Sequence, residues 1–197
     1  MKVKTLKTIV IITMIFLLTA CSSTPLTEEE MRKLPISSIE ASFVYNTHDP
    51  KEAVGISDYV FIGKVLSYDG VQYKHRVMIE NVGTVGSPYT DYTVQVDENI
   101  KGKLNTNEPI CIAKEGGVTQ DGKEIYVFER DEMPETGKTY IFLGYAQPDG
   151  TIVVSGPESN ILINDDKSIV DKYKEAYKNE IITDLSEHER FHSIYEE

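Results

Sequence analysis

The sequence predicts a mainly β fold: a small closed barrel with an extra hairpin and flanking helices, followed by a C-terminal helical segment. Two observations carry this expectation. Short runs rich in β-branched and aromatic residues recur along the chain, each bounded by Gly, Pro, Asn or Asp. After Asp166 the apolar period lengthens from two residues to nearly four, as in an amphipathic helix. Twisted strands at such spacing tend to close on themselves, because closure removes unpaired edges.

The first segment, 1–20, reads as a leader and not as part of the fold. Lys2, Lys4 and Lys7 precede an uncharged apolar run, TIVIITMIFLLT, that is too short for a comfortable membrane span but suits a signal peptide. Leu18-Thr19-Ala20-Cys21 then places small residues just before a thiol. This order of charge, apolar run, small residues and cysteine resembles the lipobox of bacterial lipoproteins. The resemblance implies cleavage before Cys21 and a covalent diacylglycerol on it. Two or more acyl chains, such as palmitate, give a stable anchor. The expected location is the outer face of the cell membrane.

Residues 21–36, with SSTPLTEEEMRKLP between Cys21 and Ile36, read as a polar tether with one helical turn capped by Thr27 and Glu30. Residues 37–163 read as the barrel domain. Asp49 and Pro50 mark the start of a short helix. The run 59–68 is a strong strand, and Asp69-Gly70 signals a hairpin turn into a looser return strand, 71–79. Gly83, Gly86 and Pro88 then read as breakers. Tyr92, Val94 and Val96 alternate as in a half-buried strand. Further strands are expected at 110–113, 125–128, 139–145, 151–154 and 161–163, with turns at Gly116-Gly117, Asp121-Gly122 and Asp149-Gly150. In the C-terminal segment, 164–197, Ile169, Tyr173, Ala176, Tyr177 and Ile181 form one helical stripe. Ser186 and Glu189 can cap a second short helix carrying Phe191, Ile194 and Tyr195.

The pieces "SDYVFIGKV", "YTVQVDENIKGKL", "ICIAKEGG" and "ETGKTYIFLGY" occur in an order that resembles the barrel of netrin-like modules and tissue inhibitors of metalloproteinases. The resemblance covers roughly 57–163. It implies an OB-type five-stranded Greek-key barrel and, by analogy, protease inhibition. The inhibitors use a free N-terminal cysteine on the protease metal. Here Cys21 is assigned to lipid, the barrel begins well downstream, and the family's disulfides are missing.

Net charge is −12 over the whole chain. Without the leader lysines it is about −15, which disfavours nucleic acid and is not expected to draw the chain to anionic headgroups, so the anchor is expected to come from the lipid and not from charge. Cys111 lies between Ile110 and Ile112 and reads as a buried, inert thiol.

"HERFH" places His188, Glu189 and His192 at zinc-peptidase spacing: two ligands one helical turn apart, with a carboxylate to polarise bound water. A third ligand is hard to find so close to the end of the sequence, and Arg190 brings a cation to the metal's place. The expectation is therefore no catalytic residue and no metal or other cofactor, with a zinc-dependent hydrolase as the rival reading.

The chain has twelve tyrosines and no tryptophan. Tyr68, Tyr73, Tyr89 and Tyr92 fall close together, and such rings can form a binding platform. Ordinary strand tyrosines are the plainer reading. The segment 71–90 is the favoured recognition region. The sequence thus points to a lipid-anchored, extracytoplasmic, non-catalytic module that binds a protein, peptide or envelope polymer.

Overall fold

A computed structural model describes residues 26–81, 83–164, 167–182 and 190–197. The leader and Cys21 lie outside these residues, as do His188 and Glu189. Among the described residues no helix is long and apolar enough to cross a membrane.

The centre is a closed five-stranded barrel. Its strands are β2 (Tyr59–Ile79), β3 (Gly83–Lys101), β4 (Ile110–Glu115), β7 (Thr139–Ala146) and β8 (Ile152–Val154). They pair in the circuit β2-β3-β4-β8-β7, and β7 returns to β2. The β4–β8 pair is parallel and the others are antiparallel. That is the OB-type order, with strand five inserted between strands three and four. β9 (Asn160–Leu162) extends the sheet beside β7.

Burial explains the runs that pattern reading found most apolar. Phe61 and Phe142 stack inside the barrel at 5.3 Å, among Val65, Tyr92, Val94, Ile112 and Ile152. Val60, Ile141 and Leu143 face the other way and meet α2 (Pro50–Ile56) and α3 (Ser168–Lys178) through Ala53, Val54, Tyr173 and Ala176. Strands covered on both faces have no polar side to show. α2 begins as expected: Asp49 Oδ1 accepts from the Lys51 N–H at 2.9 Å and Pro50 takes the first turn. In α3, Tyr173 and Ala176 are buried, whereas Tyr177 and Ile181 are exposed and the helix stops at Lys178. The stripe is therefore shorter than the sequence suggests.

Asp69-Gly70 does not reverse the chain. β2 runs straight through it, and the pair forms a bulge between Tyr68 and Gly70. Gly70 takes φ 112°, and the Asp69 carboxylate accepts from Ser67 and, across the ladder, from Thr93, both at 2.7 Å. Long-range pairing overrides the local turn signal here. The reversal comes at 80–83, where Asn81 (φ 64°) and Gly83 (φ 100°) adopt left-handed backbone. Gly86 and Pro88 sit inside β3 rather than ending a strand.

Two further expectations are corrected. Residues 26–36 are not a free tether. The Thr27–Glu30 capping box forms as foreseen, but α1 (Glu28–Met31) drives Met31 fully into the core, with Leu26 and Leu34 packed beside it. β1 (Ile36–Ile39) then pairs with β6 (Ile125–Phe128), which pairs with β5 (Gly117–Val118), in a separate three-stranded sheet. Cys111 is exposed, not buried. β4 alternates, so Ile110 and Ile112 point inward and the thiol points out, beside Tyr195.

Residues 190–197 are held against the barrel as a strap. Residues 190–197 are not helical. Glu196 bridges to Leu104, Asn105 N–H donates to the Tyr195 carbonyl at 2.8 Å, and Glu197 N–H donates to the Lys103 carbonyl at 3.0 Å. Buried Tyr59 fastens it: its hydroxyl accepts from Ser193 N–H at 2.8 Å and donates to Glu196 Oε1 at 2.6 Å.

Candidate functional site

The outer face of the barrel carries a cleft where β3, β4, β7 and β8 meet. One side is the distal part of the β2–β3 hairpin, and the other is the 147–151 turn between β7 and β8. Two adjoining cavities of about 320 and 330 Å³ share Tyr89, Gln147 and Val153 as lining. The first continues to Lys74, His75 and Asp149. The second continues to Phe43, Tyr45, Tyr145, Glu115 and Ser155.

Each aromatic group is fixed by its neighbours. Tyr89 packs with Ala113 and Val153 on the outer face. The Lys74 ammonium lies 5.2 Å from its ring centroid, and the His75 ring lies 5.9 Å away. Burial raises the Tyr89 hydroxyl pKa, and the charge and hydrogen bond of Glu115 add to this. Glu115 also accepts a short hydrogen bond from Ser155. Burial likewise raises Tyr145, which pairs with the hydroxyls of Tyr45 and Ser57. Tyr45 meets Phe43 edge-on at 6.0 Å, and Phe43 meets Phe128 at 5.6 Å. The phenols stay protonated over the physiological range, and each ring has packing or hydrogen-bonding neighbours. An aromatic floor with polar edges suits non-covalent recognition.

Of the four tyrosines picked out by sequence, only Tyr89 lines this cleft. Tyr92 is fully buried inside the barrel, because the β3 alternation turns it toward Phe61 and Val94. Tyr68 is half-buried and packs edge-on against Tyr92 at 6.0 Å. Tyr73 donates from its hydroxyl to the Val118 carbonyl at 3.1 Å. These three act as structural tyrosines, not as a surface platform. Sequence reading missed Phe43, Tyr45, Glu115 and Tyr145. The one signal available was "FVY" at 43–45, an aromatic pair in a stretch without strand or helix pattern.

Only part of the HERFH motif is described. His192 is exposed and its Nδ1 lies 3.0 Å from Glu196 Oε2. Arg190 reaches the Gly55 carbonyl at 3.2 Å and Asp58 at 3.8 Å. Residues 190–192 are not helical, whereas the zinc-peptidase reading needs a helix through His192. Among the described residues no group of three His, Cys, Asp or Glu side chains comes together to hold a metal. His48 lies against Arg130, far from His192 in sequence and tied to another loop.

No protein-family model matches the chain, and no curated protein matches it.

Proposed function

We propose that this protein is a lipid-anchored, extracytoplasmic binding module that holds an extended peptide or envelope-polymer strand in the β3–β4 cleft. The observation that carries this reading is the aromatic floor of Tyr89, Tyr145, Tyr45 and Phe43, set between two polar walls. Two features support it. In OB-type barrels, ligands favour the face of the second and third strands, flanked by the loops joining strands one to two and four to five. Here those parts are β3, β4, the hairpin and the 147–151 turn. The lipobox-like LTAC sequence supports the anchor, with Cys21 carrying diacylglycerol. The strongly acidic chain disfavours nucleic acid as the ligand.

A photo-crosslinking residue placed at Gln147, in intact cells, tests the cleft. It should capture one predominant partner, and the same probe at Glu98, on the far end of β3, should not. Equal capture from both positions would overturn the reading. Palmitate labelling that disappears in Cys21→Ser tests the anchor. One tightly held zinc per chain, lost in His192→Ala, would instead favour the hydrolase.

A further inference from the structure

The hairpin formed by β2 and β3 extends beyond the barrel. β3 pairs with β4 only over Thr90–Val94, and β2 pairs with β7 only over Tyr59–Lys64. Farther out the two strands pair with each other. Gln120 braces the β3 strand of the arm, accepting from Gly86 N–H at 3.2 Å and donating to the Thr84 carbonyl at 3.1 Å. At the end of this arm three large apolar side chains stand in solvent: Val77 57% exposed, Met78 77% and Ile79 44%.

Their setting differs from the rest of the molecule. Lys74, His75 and Arg76 immediately precede them, and Glu80 is the only acid in 71–90. A chain of net charge −12 thus places a basic collar directly behind three consecutive exposed apolar side chains, one of which, Met78, is the most exposed large apolar side chain among the described residues. Whole-chain charge argues against anionic headgroups, but attraction to a surface falls off within a Debye length, so the local sign decides.

Leu26 packs on the barrel core just before α1. Burial raises the hydroxyl pKa of Tyr68, at the root of the arm, and the Glu28 carboxylate of α1 lies near enough for its charge to add to this. The stretch from Cys21 to Leu26 can span at most about 17 Å. From Val71 to Ile79 the arm runs roughly 26 Å at strand rise. A domain tethered that closely has its arm within reach of the bilayer.

We propose that the 77–79 tip is a membrane-inserting element that seats Val77, Met78 and Ile79 among the acyl chains of an anionic bilayer while Arg76 meets its headgroups. It would fix the orientation of the domain, which a single-point lipid anchor leaves free. This inference rests on the anchor at Cys21 but not on the cleft.

The test uses the full lipidated protein on vesicles, with Met78→Cys in a Cys111→Ser background and an environment-sensitive fluorophore at position 78. Blue-shifted emission is expected on vesicles containing phosphatidylglycerol, and much less on phosphatidylcholine alone. Arg76→Glu should weaken the response roughly tenfold in anionic-lipid requirement. Protein that co-floats with the vesicles but shows unchanged emission would refute insertion and leave the anchor intact. Protein that fails to co-float would remove both. A blue shift that appears without vesicles and grows with protein concentration would show that the tip pairs with a second copy, which also overturns the proposal.

Discussion

Tyr59→Phe tests whether the C-terminal strap is part of the fold. The substitution keeps the ring, which sits among the barrel core, and removes only the hydroxyl. Two hydrogen bonds are lost, from Ser193 N–H at 2.8 Å and to Glu196 at 2.6 Å. Burial and the Glu196 carboxylate hold the hydroxyl pKa above its ordinary value, so it remains a donor at any working pH. Glu196 is partly exposed and can regain water, but Ser193 is buried. A bond to a charged acceptor contributes about 1.5–3 kcal/mol, and a buried donor left without a partner costs about 1–3 kcal/mol. Release of the strap relieves part of the second cost, so the expected loss is about 2–3 kcal/mol. For a domain of this size that lowers Tm by roughly 4–12 °C. Urea unfolding should show a lower midpoint at unchanged slope, and the Ser193 and Glu197 amides should exchange faster. A variant within about 0.5 kcal/mol of the parent, with both amides still protected, would refute the reasoning.

Other consequences are checked as directly. Lys114 and Asp131 form a buried ion pair, with side chains 0% and 1% exposed. Lys114→Met should cost about 3–5 kcal/mol in chemical unfolding by stranding the carboxylate, whereas Lys114→Met with Asp131→Leu should recover most of that loss. Gly55→Ala would put a Cβ 2.0 Å from the Ile181 carbonyl oxygen, so thermal melts should show a loss of about 1–3 kcal/mol. Burial works against ionisation of Glu28, but hydrogen bonds from Thr136 and Arg32 outweigh it and hold its pKa below 4.5. Its contribution to stability is therefore full above that pH and lost as pH falls through the lower folded value, and Glu28→Gln should flatten the acid limb of the stability curve.

The strands that pattern reading placed well are those whose burial is set by alternation or by two-sided cover. Tyr92, Val94 and Val96, and the runs at 59–65 and 139–145, fall where expected. The failures have a common cause: a local signal was overruled by a distant partner. Asp69-Gly70 looks like a turn until Thr93 takes the carboxylate across the ladder. The polar stretch after Cys21 looks like a tether because only Met31 and two leucines carry its packing. Cys111 seems buried beside two isoleucines, yet neighbours along a strand face opposite sides. The cleft was only partly legible. Tyr89 was one of four clustered tyrosines that the sequence offered alike, but Phe43, Tyr45, Glu115 and Tyr145 come from separate segments that meet only once the barrel closes. Nothing in their spacing announces the meeting.

The binding claim is tested most directly by solution NMR of the tyrosine-ring-labelled protein during titration with the partner captured at Gln147. The Tyr45, Tyr89 and Tyr145 ring signals should move together and saturate, while Tyr140 and Tyr173, buried in the core, stay in place. Movement confined to Tyr177, or saturating binding with all three cleft rings unmoved, would contradict the account.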